Sequence, residues 1–346
     1  MADKSHEPVQ PIHPSMEGKL DPVFVQLYND NVAFKPNGPI DLAVLRKHYS
    51  QLYSYGTGAA PDAARTYDTT FPLADGTELT LRVYEPASPG PWPVHVDFHG
   101  GGWGLGDLET EAHICKHICH QANVAVIDVA YRLVPEHPYP APITDSWAAL
   151  QYIHGSGAAR LNIKPDSISV GGVSAGGFVA LALAHLARDA GLPLRLVAAG
   201  TPVIDDLPAA AADSPHASMR ENEFAPTLNW ARLAYFNRFK FPQDDPAAAA
   251  KAKADMGWFA NLLDAPNFAD LPRTVLYTAG ADPLRDEGEA YARKLLEHGN
   301  EVIAKRFVGV PHPFMHMDGS LKQGREFIDE TARYVRLAHW DQGNKE

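Results

Sequence analysis

One nine-residue stretch constrains the fold of this chain more than any other. Ser169–Gly177 reads Ser-Val-Gly-Gly-Val-Ser-Ala-Gly-Gly and holds a G-x-S-x-G pattern centred on Ser174. A β-prone run, Ser167–Val170, precedes it, and a run rich in helix formers, Phe178–Arg188, follows it. A strand, a tight glycine-flanked turn and a helix are the setting in which such a serine projects its hydroxyl from the end of a sheet. The pattern alone also occurs by chance, so the rest of the chain must supply its partners.

Strands and helices alternate along most of the chain. Thr66–Pro72 and Glu78–Tyr84 flank Asp75-Gly76 and predict an antiparallel hairpin. The other predicted strands are Val94–Phe98, Val124–Val129, Ser167–Val173, Leu194–Ala199, Arg273–Thr278 and Glu301–Val308. The predicted helices are Glu109–Gln121, Pro142–His154, one at Phe178, Arg285–Glu297 and Leu321–Leu337. This alternation predicts an α/β protein with a mostly parallel sheet covered on both faces.

Two segments depart from the alternation. Residues 1–60 begin as a polar stretch and are then helical in parts, between Pro22 and Tyr53. Residues 205–270 combine alanine-rich runs with an aromatic helical stretch, Asn229–Phe241. Insertions of this size between the strands of a compact domain are usually functional. We therefore expect a core of residues 61–204 and 271–346 that carries these two segments.

Composition limits the classes of binding partner and the cellular compartment that we expect. The 346 residues include 30 Lys and Arg against 42 Asp and Glu, a net charge of −12, which argues against nucleic acid or an anionic membrane as a partner. Two cysteines, Cys115 and Cys119, imply no disulfide framework and suit a reducing compartment. We find no apolar signal segment and no transmembrane stretch. We expect a soluble cytoplasmic protein, and the sequence leaves a homodimer open.

Ser174 needs a base within hydrogen-bonding reach and an acid that orients the base. Asp282 directly follows the strand that ends at Thr278, and His312 lies just beyond the strand that ends near Val308. Both positions fall at the C-terminal ends of strands, where parallel sheets bind ligands. The order Ser, Asp, His is the one found in α/β hydrolases. Asp282 also suits a helix N-cap, a role that is compatible with orienting the base.

Each of these two residues has a competitor close by. Asp286 is the alternative carboxylate, but it falls inside the following helix. His316 is the alternative base, but it is further from the strand end and lies between Met315 and Met317. We therefore favour Asp282 and His312.

A second motif, His99-Gly100-Gly101-Gly102, directly follows a predicted strand. Glycines let backbone N–H groups approach a substrate closely, as an oxyanion hole requires. Ala175, after the serine, is placed to supply another N–H donor. A phosphate-binding loop is the alternative, but no G-x-G-x-x-G or GK[ST] spacing follows.

Five segments together resemble the hormone-sensitive-lipase-like family of α/β-hydrolase carboxylesterases. These segments are HGGGW (His99–Trp103), YRLVPEHPYPAP (Tyr131–Pro142), GVSAGG (Gly172–Gly177), DPLRDEG (Asp282–Gly288) and the turn at His312. The resemblance implies an α/β-hydrolase fold with a mostly parallel eight-stranded twisted sheet. It also implies that residues 1–60 and 205–270 form a helical cap.

The resemblance extends to the reaction and its residues. It implies hydrolysis of short- to medium-chain or small aromatic esters, with no cofactor and no metal. Gly101, Gly102 and Ala175 are then the oxyanion donors, and Trp103 and Phe178 contact the substrate. His99 and the YRLVPE segment brace the site.

Two residues depart from the family pattern. Val173 stands where the family usually has an Asp before the serine, which removes a carboxylate beside the site. Pro313 stands where the family usually has a Gly after the histidine, which biases His312 towards extended backbone geometry and removes an N–H. These departures bear on the hydrogen bonds of Ser174 and on the pose of His312.

Other functions remain open at this stage. The same three residues serve lactone, amide or thioester hydrolysis, acyl transfer, or a non-hydrolytic reaction. A non-catalytic ligand receptor on this fold is a further alternative. A metal site on the helix that holds His113, His117, Cys115 and Cys119 is disfavoured, because the His and Cys pairs lie about 200° apart around the helix.

Overall fold

The computed structural model describes residues 8–36, 41–49, 53–240 and 245–341. They contain one eight-stranded sheet with the order β1-β2-β4-β3-β5-β6-β7-β8. The strands are β1 (Arg65–Pro72), β2 (Glu78–Glu85), β3 (Trp92–Phe98), β4 (Ala125–Val129), β5 (Ile163–Val173), β6 (Leu196–Gly200), β7 (Thr274–Ala279) and β8 (Val302–Phe307). β1, β2 and β4 pair antiparallel, and all pairs from β4 through β8 are parallel. The predicted α/β-hydrolase fold is confirmed.

Helices cover both faces of the sheet. They are α1 (Pro22–Tyr28), α2 (Leu42–Lys47), α3 (Ala112–Ala122), α4 (Ala141–His154), α5 (Ala175–Asp189), α6 (Ala217–Glu221), α7 (Trp230–Lys240), α8 (Pro246–Met256), α9 (Arg285–Glu297) and α10 (Lys322–Trp340). α4, α5 and α9 pack their apolar residues against one face of the sheet, and α3 and α10 pack theirs against the other face. None of the described helices is long and apolar enough to cross a membrane.

Successive side chains of a strand point to opposite faces. On β3, Val94, Val96 and Phe98 therefore belong to the apolar core beneath α4 and α5. His95 and Asp97 occupy the alternate positions, which face α3 and α10, and both are buried. On β3, the side that faces α3 and α10 is consequently more polar than the other side.

The predicted start of α3 is wrong by one helical turn. The prediction began the helix at Glu109, whereas the helix begins at Ala112. Asp107 accepts the N–H of Glu109, and the Thr110 N–H donates to the Asp107 carbonyl. Such side-chain and turn bonds compete with helical ones, so the chain turns before the helix starts.

Described residues of both segments that depart from the alternation lie close to the glycine loop after β3. Arg46 of α2 donates to the carbonyls of Gly104 and Val134 and forms an ion pair with Glu136. Leu45, Leu105 and Tyr235 meet in one small apolar cluster that joins α2, the glycine loop and α7. Phe241, at the end of the predicted aromatic stretch, lies outside the described residues.

Candidate active site

Ser174 lies between β5 and α5 in a strained backbone conformation, with φ 57° and ψ −118°. Its N–H donates to the Gly200 carbonyl at 2.8 Å. A Cβ at Gly176 would lie 1.7 Å from the Phe98 carbonyl oxygen, and one at Gly172 would lie 2.2 Å from it. Both positions therefore require glycine for this close approach. The strand and the helix meet in a sharp elbow that keeps the serine partly exposed.

Asp282 and His312 form a direct pair. His312 Nδ1 lies 2.7 Å from Asp282 Oδ2, and both side chains are buried. The other carboxylate oxygen, Oδ1, accepts the Leu284 N–H at 3.0 Å at the start of α9. Asn222 donates to the Asp282 carbonyl. Asp282 thus holds the helix start and the histidine ring at once, the two roles considered compatible from the sequence.

The end of β6 links the serine to the histidine. Gly200 accepts the Ser174 N–H, and the next residue, Thr201, donates its hydroxyl to the His312 carbonyl at 3.4 Å. The Ser174 hydroxyl forms no hydrogen bond with the described residues. It is therefore open to an incoming group, while Asp282 fixes the histidine ring.

The two competitors lie elsewhere. Asp286 accepts the Ser218 N–H and forms an ion pair with Arg285. His316 is buried in the 3₁₀ turn Phe314–Met317, with its ring 5.4 Å from that of His113. Burial lowers the pKa of His316 well below its ordinary value. Neither residue belongs to the Asp282–His312 pair.

The glycine loop after β3 is fastened by its neighbours. The Tyr131 hydroxyl donates to the His99 carbonyl at 2.6 Å, and the two rings stack 4.2 Å apart. His99 Nδ1 donates to the Gly100 carbonyl at 2.8 Å. Burial lowers the pKa of His99 to about 4, so its ring is neutral near pH 7. His99 and Tyr131 thus occupy the bracing positions that the resemblance implies.

Gly101 and Gly102 have positive φ values of 124° and 58°. Their N–H groups donate to no other group of the described residues. Ala175 is the first residue of α5, where N–H groups lack partners within the helix. All three N–H groups are therefore available to an oxyanion.

A cavity of about 760 Å³, including its mouth, opens beside Gly101, Gly102 and His312. Its wall is mainly apolar and aromatic. The other lining residues are Tyr49, Tyr53, Trp103, Leu105, Val203, Asp205, Leu207, Leu228, Leu233, Phe236, Asn237, Lys240, Leu284, Glu287 and Pro313.

The two residues expected to contact substrate differ in position. Trp103 lines the cavity. Phe178 is fully buried and does not line it. Its ring meets Trp103 edge-on, with 5.7 Å between ring centroids. Phe178 lies one turn into α5, where its side chain points into the core, so it supports Trp103 from behind.

Sequence reasoning missed Lys240, which also lines the cavity. Its ammonium lies 4.4 Å from the Trp103 ring centroid and 4.9 Å from that of Tyr139. Burial lowers its pKa to about 8, and Asp206 opposes that shift. The only sequence signal was a lysine at the end of an aromatic helix. That pattern gave no hint that the side chain turns inward.

The two departures from the family pattern are both buried. Val173 packs in the apolar cluster that holds Phe327 and Tyr277, so its surroundings suit a hydrocarbon side chain. Pro313 lines the cavity next to His312. Its carbonyl accepts the His316 N–H, which starts the 3₁₀ turn.

The polar residues of α3 point in two directions, as the sequence indicated. His113 and His117 lie 3.8 and 3.9 Å from the Asp318 carboxylate. Cys119 instead faces the Tyr84 carbonyl. Within the described ranges, no group of three or more His, Cys, Asp or Glu side chains is arranged to hold a metal ion.

Comparison with known proteins identifies the relatives of this chain. The family described as alpha/beta hydrolase fold matches residues 95–316. An AB hydrolase superfamily protein of Schizosaccharomyces pombe is 34% identical over 98% of this chain and 99% of its own. Carboxylesterase NlhH of Mycobacterium tuberculosis is 38% identical over 65% of this chain and 68% of its own. The solved esterase of Pyrobaculum calidifontis superimposes with a TM-score of 0.78 at 29% identity, covering 92% of this chain and 98% of its own.

The chain therefore belongs to the α/β hydrolases, in the hormone-sensitive-lipase-like family. Within that family it is a carboxylic ester hydrolase, and the resemblance carried by its five motifs is confirmed.

Proposed function

We propose that Ser174, His312 and Asp282 carry out ester hydrolysis through an acyl-enzyme. The observation that carries this proposal is the buried 2.7 Å contact between His312 Nδ1 and Asp282 Oδ2 at the wall of the cavity. A histidine held in this way directs its other ring nitrogen, Nε2, outward as a base. The partly exposed serine on its strained elbow is the matching nucleophile.

The reaction proceeds in two halves. His312 Nε2 takes the Ser174 hydroxyl proton as the serine oxygen attacks the ester carbonyl carbon. The bond to the leaving oxygen breaks, and His312 protonates the alcohol. A water molecule, deprotonated by His312, then attacks the acyl carbon. The bond from that carbon to the Ser174 oxygen breaks, His312 returns its proton to this oxygen, and the acid is released. Asp282 stabilises the imidazolium at both stages without taking its proton.

The N–H groups of Gly101, Gly102 and Ala175 stabilise the tetrahedral oxyanion. Their lack of other acceptors supports this role, because donors already aimed at the developing charge need no rearrangement. Loss of one such donor typically costs about 10²–10³ in kcat.

Residues 1–60 and 205–270 act as a cap on a core of residues 61–204 and 271–346. Arg46 ties α2 to the loop at Gly104, and Phe236 of α7 lies against Gly102. Both segments also contribute residues to the cavity wall. The cap excludes water from the site during acyl transfer.

The substrate is a short- to medium-chain or small aromatic ester. The apolar wall and the buried Trp103 favour a compact hydrophobic group over a long chain. Trp103 is backed edge-on by Tyr139 and Phe178, so its ring cannot easily yield. We expect p-nitrophenyl butyrate to exceed the decanoate in kcat/KM.

Ser174→Ala is the direct test. It should abolish hydrolysis of p-nitrophenyl acetate and butyrate, and a fluorophosphonate probe should label Ser174 in the wild type alone. Ser146, a buried serine on α4 that bonds the Pro142 carbonyl, provides the control as Ser146→Ala. Full activity of Ser174→Ala would overturn the assignment.

Small-molecule esters are the expected partners, and the net charge of −12 supports the absence of nucleic acid among them. We further propose a homodimer in which two β8 strands meet. β8 is one of the two edge strands of the sheet, with β1 at the other edge, and unpaired strand edges favour pairing with another chain. Light scattering after size exclusion would detect the dimer, and Ala304→Pro on this strand should convert it to a monomer. A wild-type monomer would refute it.

We also propose a cytoplasmic location. Cys115 and Cys119 are both buried and unpaired, which suits a reducing compartment. Fractionation of cells that produce the protein naturally would test this, and recovery with secreted proteins would contradict it.

A further inference from the structure

Three buried carboxyl groups lie next to the glycine loop. Asp97 on β3 and Asp128 on β4 are register partners in the parallel pair. Glu111 precedes α3, and its Oε1 accepts the Gly100 N–H at 2.6 Å. All three side chains belong to residues that are at most 2% exposed. The esterase mechanism above assigns none of them a role.

Burial disfavours ionisation of all three carboxyl groups. It raises the pKa of Asp97 to about 7 and those of Glu111 and Asp128 well above their ordinary values. Glu111 and Asp97 are within hydrogen-bonding reach of each other. Yet Glu111 Oε2 and Asp97 Oδ2 have no donor among the described residues. A proton shared between the Glu111 and Asp97 carboxyl groups would leave Glu111 Oε1 as the acceptor for Gly100.

The hydrogen bonds of the glycine loop after β3 show which peptide groups depend on Glu111 Oε1. The peptide that joins His99 to Gly100 is held from both sides, at its carbonyl by Tyr131 and at its N–H by Glu111. The next peptide is held at the Gly100 carbonyl by His99 Nδ1. Because C=O and N–H of a trans peptide point in opposite directions, these bonds fix where the Gly101 N–H points.

Glu111 also reaches the neighbourhood of the elbow. A Cβ placed at Gly100 would lie 3.0 Å from the Val173 carbonyl oxygen, 3.4 Å from Glu111 Oε1 and 3.5 Å from Ser174 Cβ. Val173 itself offers no carboxylate there. The buried acid beside this site therefore comes from the start of α3.

We propose that Glu111 is a positioning residue for the oxyanion donors. Its Oε1 holds the Gly100 peptide while the carboxyl group shares one proton with Asp97. In this way Glu111 directs the Gly101 N–H towards the substrate oxyanion. This inference rests on the proposed function of Ser174.

Several other groups face the acid pair and enter its titration. His95, on the same strand, places Nε2 3.9 Å from Asp97 Oδ1. Cys115 on α3 and Asp128 on β4 face the pair directly. Arg82 on β2 and Asp107 in the loop act on Asp128 from further away. The Arg82 guanidinium offsets part of the negative charge, so the pair is not isolated.

The test compares two substitutions of Glu111. Glu111→Gln retains an acceptor for Gly100 and a donor for Asp97, and we expect its kcat to stay within about threefold of the wild type. Glu111→Leu removes the acceptor, and we expect kcat to fall by about 10- to 100-fold with KM changed less than about threefold. This decrease in kcat is smaller than the one expected when a whole oxyanion donor is lost. Glu109→Leu is the control, because Glu109 lies two residues away and is exposed, with an ion pair to Arg82.

A pH profile gives a second readout that does not need the leucine variant to fold. Ionisation of both Glu111 and Asp97 places two negative charges next to each other, so wild-type kcat should fall at alkaline pH. Glu111→Gln cannot ionise there and should retain its rate to higher pH. Hydrolysis of ethyl butyrate, followed by titration of the released acid between about pH 6 and 10, measures this limb.

The outcomes separate this inference from the proposed function. Unchanged kcat in Glu111→Leu, or superimposable alkaline limbs in the wild type and Glu111→Gln, overturns the positioning role. Fluorophosphonate labelling of Ser174 would still stand in either case. A Glu111→Gln variant as slow as Glu111→Leu overturns the shared proton. If Ser174→Ala retains hydrolysis, the proposed function fails and this inference fails with it.

Discussion

Asp97 should lower the stability of this protein as the pH rises. Burial raises its pKa from 3.8 to about 7. A carboxyl with a higher pKa in the folded state takes up a proton on folding between these two values. The contribution of Asp97 to the free energy of unfolding therefore falls as the pH rises through this window and is level above it. Asp97→Asn keeps the shape of the side chain and removes the titration.

The size of the effect follows from the shift. Each pKa unit corresponds to about 1.4 kcal/mol of differential stability. Part of the window lies below pH 5, so the contribution of Asp97 between pH 5 and pH 8 is about 3 kcal/mol. Relative to the wild type, Asp97→Asn should gain about that much stability on going from pH 5 to pH 8.

Urea unfolding followed by tryptophan fluorescence measures this difference at the two pH values. Asp166→Asn is the matched control, because Asp166 also lies on a central strand, β5, but is exposed. We expect the control to change little between the two conditions. If the free energies of unfolding of Asp97→Asn and the wild type differ by the same amount at pH 5 and pH 8, Asp97 does not take up a proton on folding and the reasoning is refuted.

Three further substitutions test the site and its surroundings. Asp282→Asn should lower kcat by about 10⁴ with little change in KM, because the paired histidine loses the partner that sets its tautomer; initial rates with p-nitrophenyl butyrate measure it. Val173→Asp should lower the thermal midpoint by about 4 °C, since a carboxyl in the apolar cluster near Phe327 costs about 3 kcal/mol; calorimetry measures it. Phe236→Ala, which removes the ring against Gly102, should raise the decanoate-to-butyrate ratio of kcat/KM by about tenfold.

Each of these substitutions has a matched control in the chain. Asp286→Asn should leave kcat within about threefold, and an equal loss in both variants would discredit the assignment of Asp282. Val173→Thr adds polarity without a charge and should cost less than Val173→Asp. Phe239→Ala removes an aromatic ring from the same helix outside the cavity wall, so it should not alter chain-length preference. An equal shift in both phenylalanine variants would count against a specific role for Phe236.

The sequence predicted the features that depend on local pattern. Asp282 and His312 were placed because a residue just past a buried strand lies at the ligand-binding edge, whichever strands are neighbours. Phe178 shows the limit of that reasoning. It is close to Ser174 along the chain, but the first turn of α5 points it into the core.

Contacts between distant segments could not be predicted from such patterns. Glu111 follows the glycine loop along the chain, but its bond to Gly100 depends on a turn that delays the start of α3. The sequence identifies Asp97 only as part of a buried strand. That Asp128 lies beside it follows only from the register of β3 and β4. Lys240 turns inward because two aromatic rings from another segment receive it.

The contact between Phe236 and Gly102 joins the roof of the cavity to its floor. A Cβ at Gly102 would lie 2.9 Å from the phenylalanine ring, so the ring lies against the residue that we propose as an oxyanion donor. If α7 swings outward to admit an ester, water reaches that N–H in the same movement. Admission of an ester past this ring and stabilisation of its oxyanion would then be separate stages of the reaction cycle.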